Sequence, residues 1–159
     1  MILQFVGFQN SGKTTAMEWT IQELTAKGIS VIAVKHHGHG GFPDPFVKDS
    51  TKYREAGAAA SIVEGDGLLH LEITNPTRWN IGKIHKLISC LDYDLLLIEG
   101  YKHEHFPKVV FTRSEDDRDK LKFLDNIHSI IPFCKELADK KTYINEIVAW
   151  IEDELTCGK

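Results

Sequence analysis

The first fifteen residues constrain the fold more than any other part of the chain. An apolar run, Ile2-Leu3-Gln4-Phe5-Val6, leads directly into Gly7-Phe8-Gln9-Asn10-Ser11-Gly12-Lys13-Thr14-Thr15. The second stretch matches the P-loop pattern GxxxxGK[ST], in which a glycine-rich turn after a strand directs successive backbone N–H groups at phosphate oxygens. The lysine of the pattern meets the β- and γ-phosphates, and the hydroxyl after it supplies an oxygen to Mg²⁺. We therefore predict that the nucleotide phosphates are bound by Gly7, Asn10, Ser11, Gly12, Lys13, Thr14 and Thr15.

The residues that follow the loop favour a phosphate site over a chance glycine-lysine turn. Met17, Ile21 and Leu24 recur at helical spacing, and Lys27-Gly28 is typical of a helix end. Ile29 to Val34 then forms an apolar run without alternation, as in a parallel strand covered on both faces. Strand, loop, helix and strand make a βαβ unit. We therefore predict an α/β fold of the P-loop NTPase type: a mostly parallel sheet with helices on both faces, plus an antiparallel edge strand or hairpin.

Local patterns predict further elements along the rest of the chain. Leu69, Leu71 and Ile73 alternate with polar residues, which predicts a half-buried antiparallel strand at an edge of the sheet. The other predicted elements, in chain order, are a helix over 49–57 with an Asp or Ser cap, a strand over 58–63 before a turn over 64–67, a helix starting at Pro76-Thr77 that carries Ile81, Ile84, Ile88 and Leu91, a strand over 95–98, a strand over 109–112, a solvated charged segment over 115–122, a strand over 127–131 and a closing helix over 144–155.

Length and composition indicate an ordinary globular protein. The 159 residues predict a single nucleotide-binding domain over 1–159, with 42% hydrophobic and 26% charged residues. A formal net charge of −4 argues against a general nucleic-acid or membrane-surface binder, and no apolar stretch is long enough to span a membrane. We therefore expect a cytoplasmic protein. Cys90, Cys134 and Cys157 show no CxxC spacing, so we expect plain reduced thiols.

Glu99 is a candidate magnesium ligand. It follows the apolar run 95–98, and a carboxylate at the carboxyl end of a parallel strand faces the metal beside a P-loop. Mg²⁺ needs hard oxygen ligands, of which the P-loop itself supplies few, so we expect Thr14 and Glu99 to share the ion. The alternative is that Glu99 only starts a turn before Gly100.

Two polar loops rich in histidine follow predicted strands. The first runs from Lys35 to Pro45 and the second from Tyr101 to Lys108. Because ligands sit beyond the carboxyl ends of parallel strands, both loops should lie near the phosphates. Their histidines, which include His39 and His105, would bind a metal when neutral, contact an anion when protonated, or remain solvated. Lysines would repel a metal ion, so we predict an anionic second ligand at Lys35, His36, His37, Lys102 and His103.

Recognition of the nucleotide base is weakly marked. Guanine-selective P-loop proteins carry an [NT]KxD stretch, and the chain has none in that form. Thr112-Arg113-Ser114-Glu115 follows a predicted strand at a suitable place, with Arg for Lys and Glu for Asp. We take Thr112, Arg113 and Glu115 as candidates for base recognition.

These motifs together resemble one known family, molybdopterin-guanine dinucleotide biosynthesis protein B (MobB). The matching stretches are the P-loop, Val34-Lys35-His36-His37-Gly38-His39-Gly40, the segment 49–58 with Tyr-Arg-Glu-Ala-Gly-Ala, and Ile98-Glu99-Gly100-Tyr101-Lys102-His103-Glu104 with Phe106-Pro107-Lys108. Their order and spacing are more specific than any one of them. The segment from Arg113 to Thr142 shows no signature of the family.

The resemblance implies a P-loop GTPase-like fold, binding of GTP with Mg²⁺, and weak GTP hydrolysis. It also implies a homodimer that assists the guanylyltransferase which attaches GMP to molybdopterin. By position it places Lys35, His36 and Lys102 near the ligand. Two other functions stay open from the residues: a metallochaperone NTPase that uses the histidine loops, and a small-molecule kinase in which a substrate hydroxyl replaces water.

Overall fold

The computed structural model describes residues 1–37, 48–74, 78–133 and 137–158, without the side chains of 48–50 and 137–138. These ranges contain β1 Ile2–Gly7, α1 Lys13–Ala26, β2 Val31–Lys35, α2 Lys48–Glu55, β3 Ala60–Gly65, β4 Leu68–Ile73, α3 Ile81–Ile88, β5 Leu95–Glu99, β6 Lys108–Phe111, α4 Glu115–Leu121, β7 Ile127–Ile131 and α5 Leu137–Cys157. The backbone divides into two compact units, one formed by Met1–Gly38 with Leu91–Lys159 and one by His39–Cys90. The prediction of one domain over 1–159 stays a prediction.

The first unit contains a five-stranded sheet in the order β2-β5-β1-β6-β7. Every neighbouring pair in it is parallel. The strand that leads into the P-loop is therefore central, with β5 on one side and β6 on the other. Because all five strands run the same way, the chain segments after β1, β2, β5 and β6 leave the same edge of the sheet.

Helices cover both faces of this sheet. On one face, α1 and α5 pack against inward side chains of the strands, and Leu3, Leu24 and Ile151 are fully buried there. On the other face, Leu121 of α4 packs with Val6 and Val110. Burying each large aliphatic side chain contributes about 1.5–3 kcal/mol, so this two-sided core fixes the sheet edge that carries the site. The predicted α/β fold of the P-loop type is confirmed.

The second unit contains an antiparallel hairpin of β3 and β4. Asp66 and Gly67 connect the strands and both have positive φ, 50° and 77°, as a two-residue hairpin turn requires. The hairpin that we predicted is present. Strand β4 is antiparallel and lies at the edge of a separate two-stranded sheet, but the predicted half-burial is wrong, because its Leu69 and Leu71 are 59% and 39% exposed.

The segment predicted as solvated, 115–122, contains helix α4. Ser114 caps it by accepting a hydrogen bond from the backbone N–H of Asp117 at 3.3 Å, and its first turn is acidic, which suits the positive end of the helix dipole. Asp117 and Leu121 are buried. The other six residues of 115–122 are exposed, as a solvated segment requires, but the helix was missed because a single apolar position gives too little periodicity.

Other boundaries differ by a few residues. Asn80 caps α3 by accepting from the backbone N–H of Lys83, so this helix begins after residue 80, and Leu91 lies beyond its end. Residues 75–77, where we predicted its start, lie outside the described residues. Helix α2 begins at Lys48, so neither Asp49 nor Ser50 precedes it as a cap. The strands β2 and β3 each begin two residues later than predicted.

Two smaller expectations concern thiols and membranes. Cys90 and Cys157 are free and exposed, whereas Cys134 lies outside the described residues. Across the part of the chain that the structure describes, no helix combines the length and the apolar character needed to cross a membrane.

Candidate functional site

The P-loop is a tight turn at the end of β1. A Cβ atom on Gly7 would lie 2.4 Å from the carbonyl oxygen of Phe111 and 2.7 Å from Ser11 Oγ, so the turn admits only glycine there. Asn10 and Gly12 have positive φ, 60° and 90°, which curls the loop before α1 begins. The start of this helix therefore points its unpaired N–H groups at the concave side of the loop.

Lys13 is folded back onto the loop. Its Nζ donates to the carbonyl oxygen of Phe8 at 2.6 Å and to Ser11 Oγ at 3.2 Å. Burial lowers the pKa of Lys13; Glu99 acts in the opposite direction, while the charges of Lys35, Arg113 and Lys102 lower the pKa further. Four cationic side chains therefore converge on the phosphate loop of an acidic protein.

Thr14 and Glu99 meet at the mouth of the loop. Thr14 Oγ1 lies 3.2 and 3.1 Å from the two carboxylate oxygens of Glu99, and the Glu99 residue is only 9% exposed. Both groups offer hard oxygen, the donor that Mg²⁺ prefers. A cation already lies at these oxygens, since Lys35 Nζ is 3.2 Å from Glu99 Oε2 and 3.2 Å from Thr14 Oγ1. The residues predicted to hold magnesium therefore fit that role.

The turn after Glu99 is held by a residue that the sequence analysis did not select. Gln4 in β1 is fully buried, and its Nε2 donates to the carbonyl oxygens of Gly100 at 3.0 Å and Tyr101 at 2.7 Å. Gly100 and Tyr101 both have positive φ, 95° and 50°. The signal that could have revealed Gln4 is a lone polar side chain inside an otherwise apolar central strand.

The predicted second-ligand residues are only partly brought together. The His36 ring contacts the Tyr101 ring with centroids 4.3 Å apart and planes tilted by 31°, and Lys102 Nζ lies 5.1 Å from the centroid of the Phe8 ring. Lys35 lies at Glu99, as described above. His37 and His103 are exposed, and His39 lies outside the described residues.

A buried lysine at the end of the second histidine loop holds that loop in place. Lys108 is fully buried, and its Nζ donates to the carbonyl oxygens of Glu104 and Phe106 and to Asp125 Oδ1. His105 pairs with the same carboxylate, Asp125. Within the described ranges, no group of three or more His, Cys, Asp and Glu side chains is arranged to hold a metal ion.

The candidates for base recognition make contacts within the protein. Thr112 Oγ1 donates to the carbonyl oxygen of Ile131 at 3.3 Å, and Glu115 is exposed. Arg113 binds both carboxylate oxygens of Asp117 and also donates from Nη1 to the carbonyl oxygen of Gln9 at 3.1 Å. Arg113 thus connects the P-loop to α4. Recognition of the base by these three residues stays a prediction.

A cavity of about 100 Å³ opens beside the P-loop, between α1, α5 and the ends of β6 and β7. Four aromatic side chains from separate parts of the chain, Trp19, Phe111, Phe133 and Tyr143, line it, and sequence patterns alone could not bring them together. It is lined by Asn10, Ser11, Gly12, Thr15, Ala16, Trp19, Phe111, Ile131, Pro132, Phe133, Lys140, Tyr143 and Ile144.

A central strand that ends in a glycine-rich anion loop, beside a paired threonine and glutamate, defines a P-loop nucleotide-binding protein. The sequence model of one family, molybdopterin guanine dinucleotide synthesis protein B, matches residues 2–134. The chain belongs to this family, MobB, as its motifs predicted.

Relatives and solved structures agree with this assignment. A Bacillus subtilis (strain 168) protein described as a probable molybdopterin-guanine dinucleotide biosynthesis adapter protein is 42% identical over 137 residues, which are 85% of this chain and 78% of the relative. The adapter protein of Haemophilus influenzae is 33% identical over 114 residues, 72% of this chain and 64% of the relative, slightly less than two thirds of its length. The crystal structure of Bacillus subtilis MobB superposes with a TM-score of 0.80 at 34% identity, covering 93% of this chain and 96% of that one. A MobB homolog from Bacillus stearothermophilus gives 0.77 at 35% identity, covering 96% and 98%.

Proposed function

We propose that the protein is a GTP-binding accessory protein of molybdenum cofactor biosynthesis in the cytoplasm. It would assist the guanylyltransferase that attaches GMP to molybdopterin, and it would hydrolyse GTP weakly. The observation that carries this proposal is the contact between Thr14 and the buried Glu99 at the mouth of the P-loop, 3.1 Å apart, in a chain of the MobB family.

The residues around the loop have separate tasks in this function. Backbone N–H groups of the turn bind the phosphates, and Lys13 moves from the carbonyl oxygen of Phe8 to a phosphate oxygen. Thr14 and Glu99 would hold Mg²⁺, which offsets phosphate charge when it is bound. These residues bind and orient the nucleotide, which suits an accessory protein with slow hydrolysis.

The cavity beside the loop supports a site for the nucleoside. Thr15 of the P-loop lines it, and the rings of Trp19, Phe133 and Tyr143 contribute flat apolar surface that can stack on a base. Since stacking surfaces accept any base, the selectivity for guanine is tested directly. Binding of GTP, ATP and guanosine is compared by calorimetry for the wild type and for Lys13→Ala.

The expected result is tighter binding of GTP than of ATP. Lys13→Ala should weaken GTP binding about tenfold or more, because a charge-assisted hydrogen bond to phosphate is lost, and should leave guanosine binding unchanged. If ATP binds as well as GTP, the guanine assignment is wrong. Equal losses for GTP and guanosine would show that Lys13 acts elsewhere than at the phosphates.

The loop cations support a second, anionic ligand, for which we propose a phosphorylated molybdopterin species. Lys102 and His36 lie on the segments that leave β5 and β2, next to the P-loop. Replacing Lys102 and His36 together should weaken binding of the pterin phosphate more than binding of GTP. Equal binding of the pterin phosphate by the wild type and this variant would remove these residues from the proposed site.

The hairpin supports a homodimer. Ile62 and Leu71 are cross-strand partners on one face of it, with Leu69 on the same face, and they are 62%, 39% and 59% exposed. An apolar face of this kind is stabilised when a second copy covers it.

Leu69→Lys should shift the sedimentation coefficient to that of a monomer. The matched control is Leu68→Lys, since Leu68 is 60% exposed on the opposite face of the hairpin. Equal effects of both substitutions would count against this interface.

A further inference from the structure

Lys35 lies between the two side chains that fit magnesium. Its ammonium group is 3.2 Å from Thr14 Oγ1 and 3.2 Å from Glu99 Oε2. Thr14 Oγ1 is itself 3.1 Å from Glu99 Oε2. The three polar groups therefore form a closed triangle, which we call the Lys35 triangle, and its only positive charge is the lysine.

The parallel sheet fixes this arrangement. Lys35 is the last residue of β2 and Glu99 the last residue of β5, and the two are partners in the register of the strands. Side chains in register on neighbouring strands leave the same face of the sheet, so Lys35 begins its path next to Glu99. The backbone N–H of His36 also donates to the carbonyl oxygen of Glu99 at 2.9 Å, which continues the pairing beyond the strand.

Burial and exposure divide the roles of the pair. The Glu99 side chain is 11% exposed, whereas that of Lys35 is 59% exposed. A nearly buried carboxylate is costly without a cationic partner, and Lys35 supplies one. Because the lysine is flexible and mostly in water, it can leave the triangle without any change in the backbone.

A divalent cation at the Thr14 and Glu99 oxygens would lie against the ammonium group, and like charges at that distance repel. We propose that Lys35 is a built-in competitor of Mg²⁺: it neutralises Glu99 in the nucleotide-free protein and must leave the Thr14 and Glu99 oxygens before the metal is bound. This inference rests on the proposed nucleotide function. It assigns Lys35 a second task, setting the metal affinity of that site.

The test measures metal binding directly. Mn²⁺ binding to the GDP-loaded protein is followed by electron paramagnetic resonance, and affinity for a fluorescent GDP analogue is measured with and without Mg²⁺. Lys35→Met and Lys35→Gln both remove the charge, and both are compared with the wild type. The control is Lys102→Gln, which removes another positive charge near the loop. The ammonium group of Lys102 lies over the Phe8 ring.

Both Lys35 variants should bind Mn²⁺ about two- to fivefold more tightly than the wild type, the range expected for losing an exposed charge partner. Lys102→Gln should give a smaller gain. Unchanged or weaker Mn²⁺ binding in both Lys35 variants, or an equal gain in Lys102→Gln, would overturn the inference. If the wild type binds no GDP analogue under any condition, the proposed function fails instead, which separates the two outcomes.

Discussion

Arg113 and Asp117 form a bidentate ion pair at the start of α4, with Arg113 Nε 2.7 Å from Asp117 Oδ2 and Nη2 2.9 Å from Oδ1. The backbone N–H of Arg113 donates to the same carboxylate at 3.0 Å. Arg113 also donates to the carbonyl oxygen of Gln9, so these hydrogen bonds link the start of α4 to the P-loop.

This pair predicts a stability that depends on pH. The hydrogen bonds from Arg113 lower the pKa of Asp117 from 3.8 to about 2. A carboxyl group whose pKa is lower in the folded state stabilises that state above its unfolded pKa, and this contribution is lost as the pH falls from about 4 to about 2. Asp117→Asn should therefore melt at a lower temperature than the wild type at pH 7, and the difference should shrink over that window. A difference that stays constant down to pH 2 would contradict the ion-pair explanation. Thermal melts at a series of pH values measure it.

Gly7→Ala should abolish nucleotide binding and destabilise the fold by about 1–3 kcal/mol, because the added Cβ meets the backbone oxygen of Phe111. The matched control is Gly82→Ala in α3, where the Cβ would meet only Asn80 Oδ1, at 3.5 Å. There we expect a gain of about 0.5–1 kcal/mol from the helix preference of alanine. Denaturant titrations report both values. A Gly7→Ala protein that retains wild-type nucleotide affinity would show that the loop can open around the methyl group.

Glu99→Gln should keep nucleotide affinity in the absence of Mg²⁺ nearly unchanged and reduce the gain that Mg²⁺ gives. The reason is that the amide keeps the size of the side chain and removes the charge that holds the metal. Fluorescent nucleotide titrations at several Mg²⁺ concentrations measure both quantities. Identical curves for the two proteins would make Glu99 a turn residue only.

Gln4→Met should also reduce the gain in nucleotide affinity that Mg²⁺ gives, through an indirect effect on Glu99. Methionine fills the site of the glutamine and removes the two hydrogen bonds that hold the carbonyl groups of Gly100 and Tyr101, at a cost of about 1–3 kcal/mol for the groups left unpaired. Loosening this turn should displace Glu99, so the Mg²⁺-dependent gain in nucleotide affinity falls while affinity without Mg²⁺ persists.

The control for that variant is Thr20→Val. Thr20 is fully buried, and its hydroxyl has no hydrogen-bond partner among the residues that the structure describes, so valine should cost little. If Thr20→Val reduces the Mg²⁺ effect as much as Gln4→Met does, the loss reflects a perturbed core and Gln4 does not position the turn.

The features that sequence could predict are the local ones. The P-loop and the apolar run before Glu99 are contiguous patterns, and the order of the strands then brings Thr14 and Glu99 together. Helix α4 was not predicted, because its signals in the sequence are a capping serine and an acidic first turn rather than an apolar stripe. The lining of the cavity was not predicted either, because Trp19, Phe133 and Tyr143 are far apart in the sequence and only packing brings them together.

Gly100 is confined by two independent constraints. Its φ of +95° disfavours any side chain, and a Cβ there would lie 3.0 Å from the Cβ of His36. Only glycine at residue 36 would relieve the crowding, because every other residue keeps that Cβ, and the backbone constraint at residue 100 would remain, so the two substitutions should not compensate each other. The direction in which the chain leaves Glu99 therefore depends on glycine at residue 100, whatever side chain residue 36 carries.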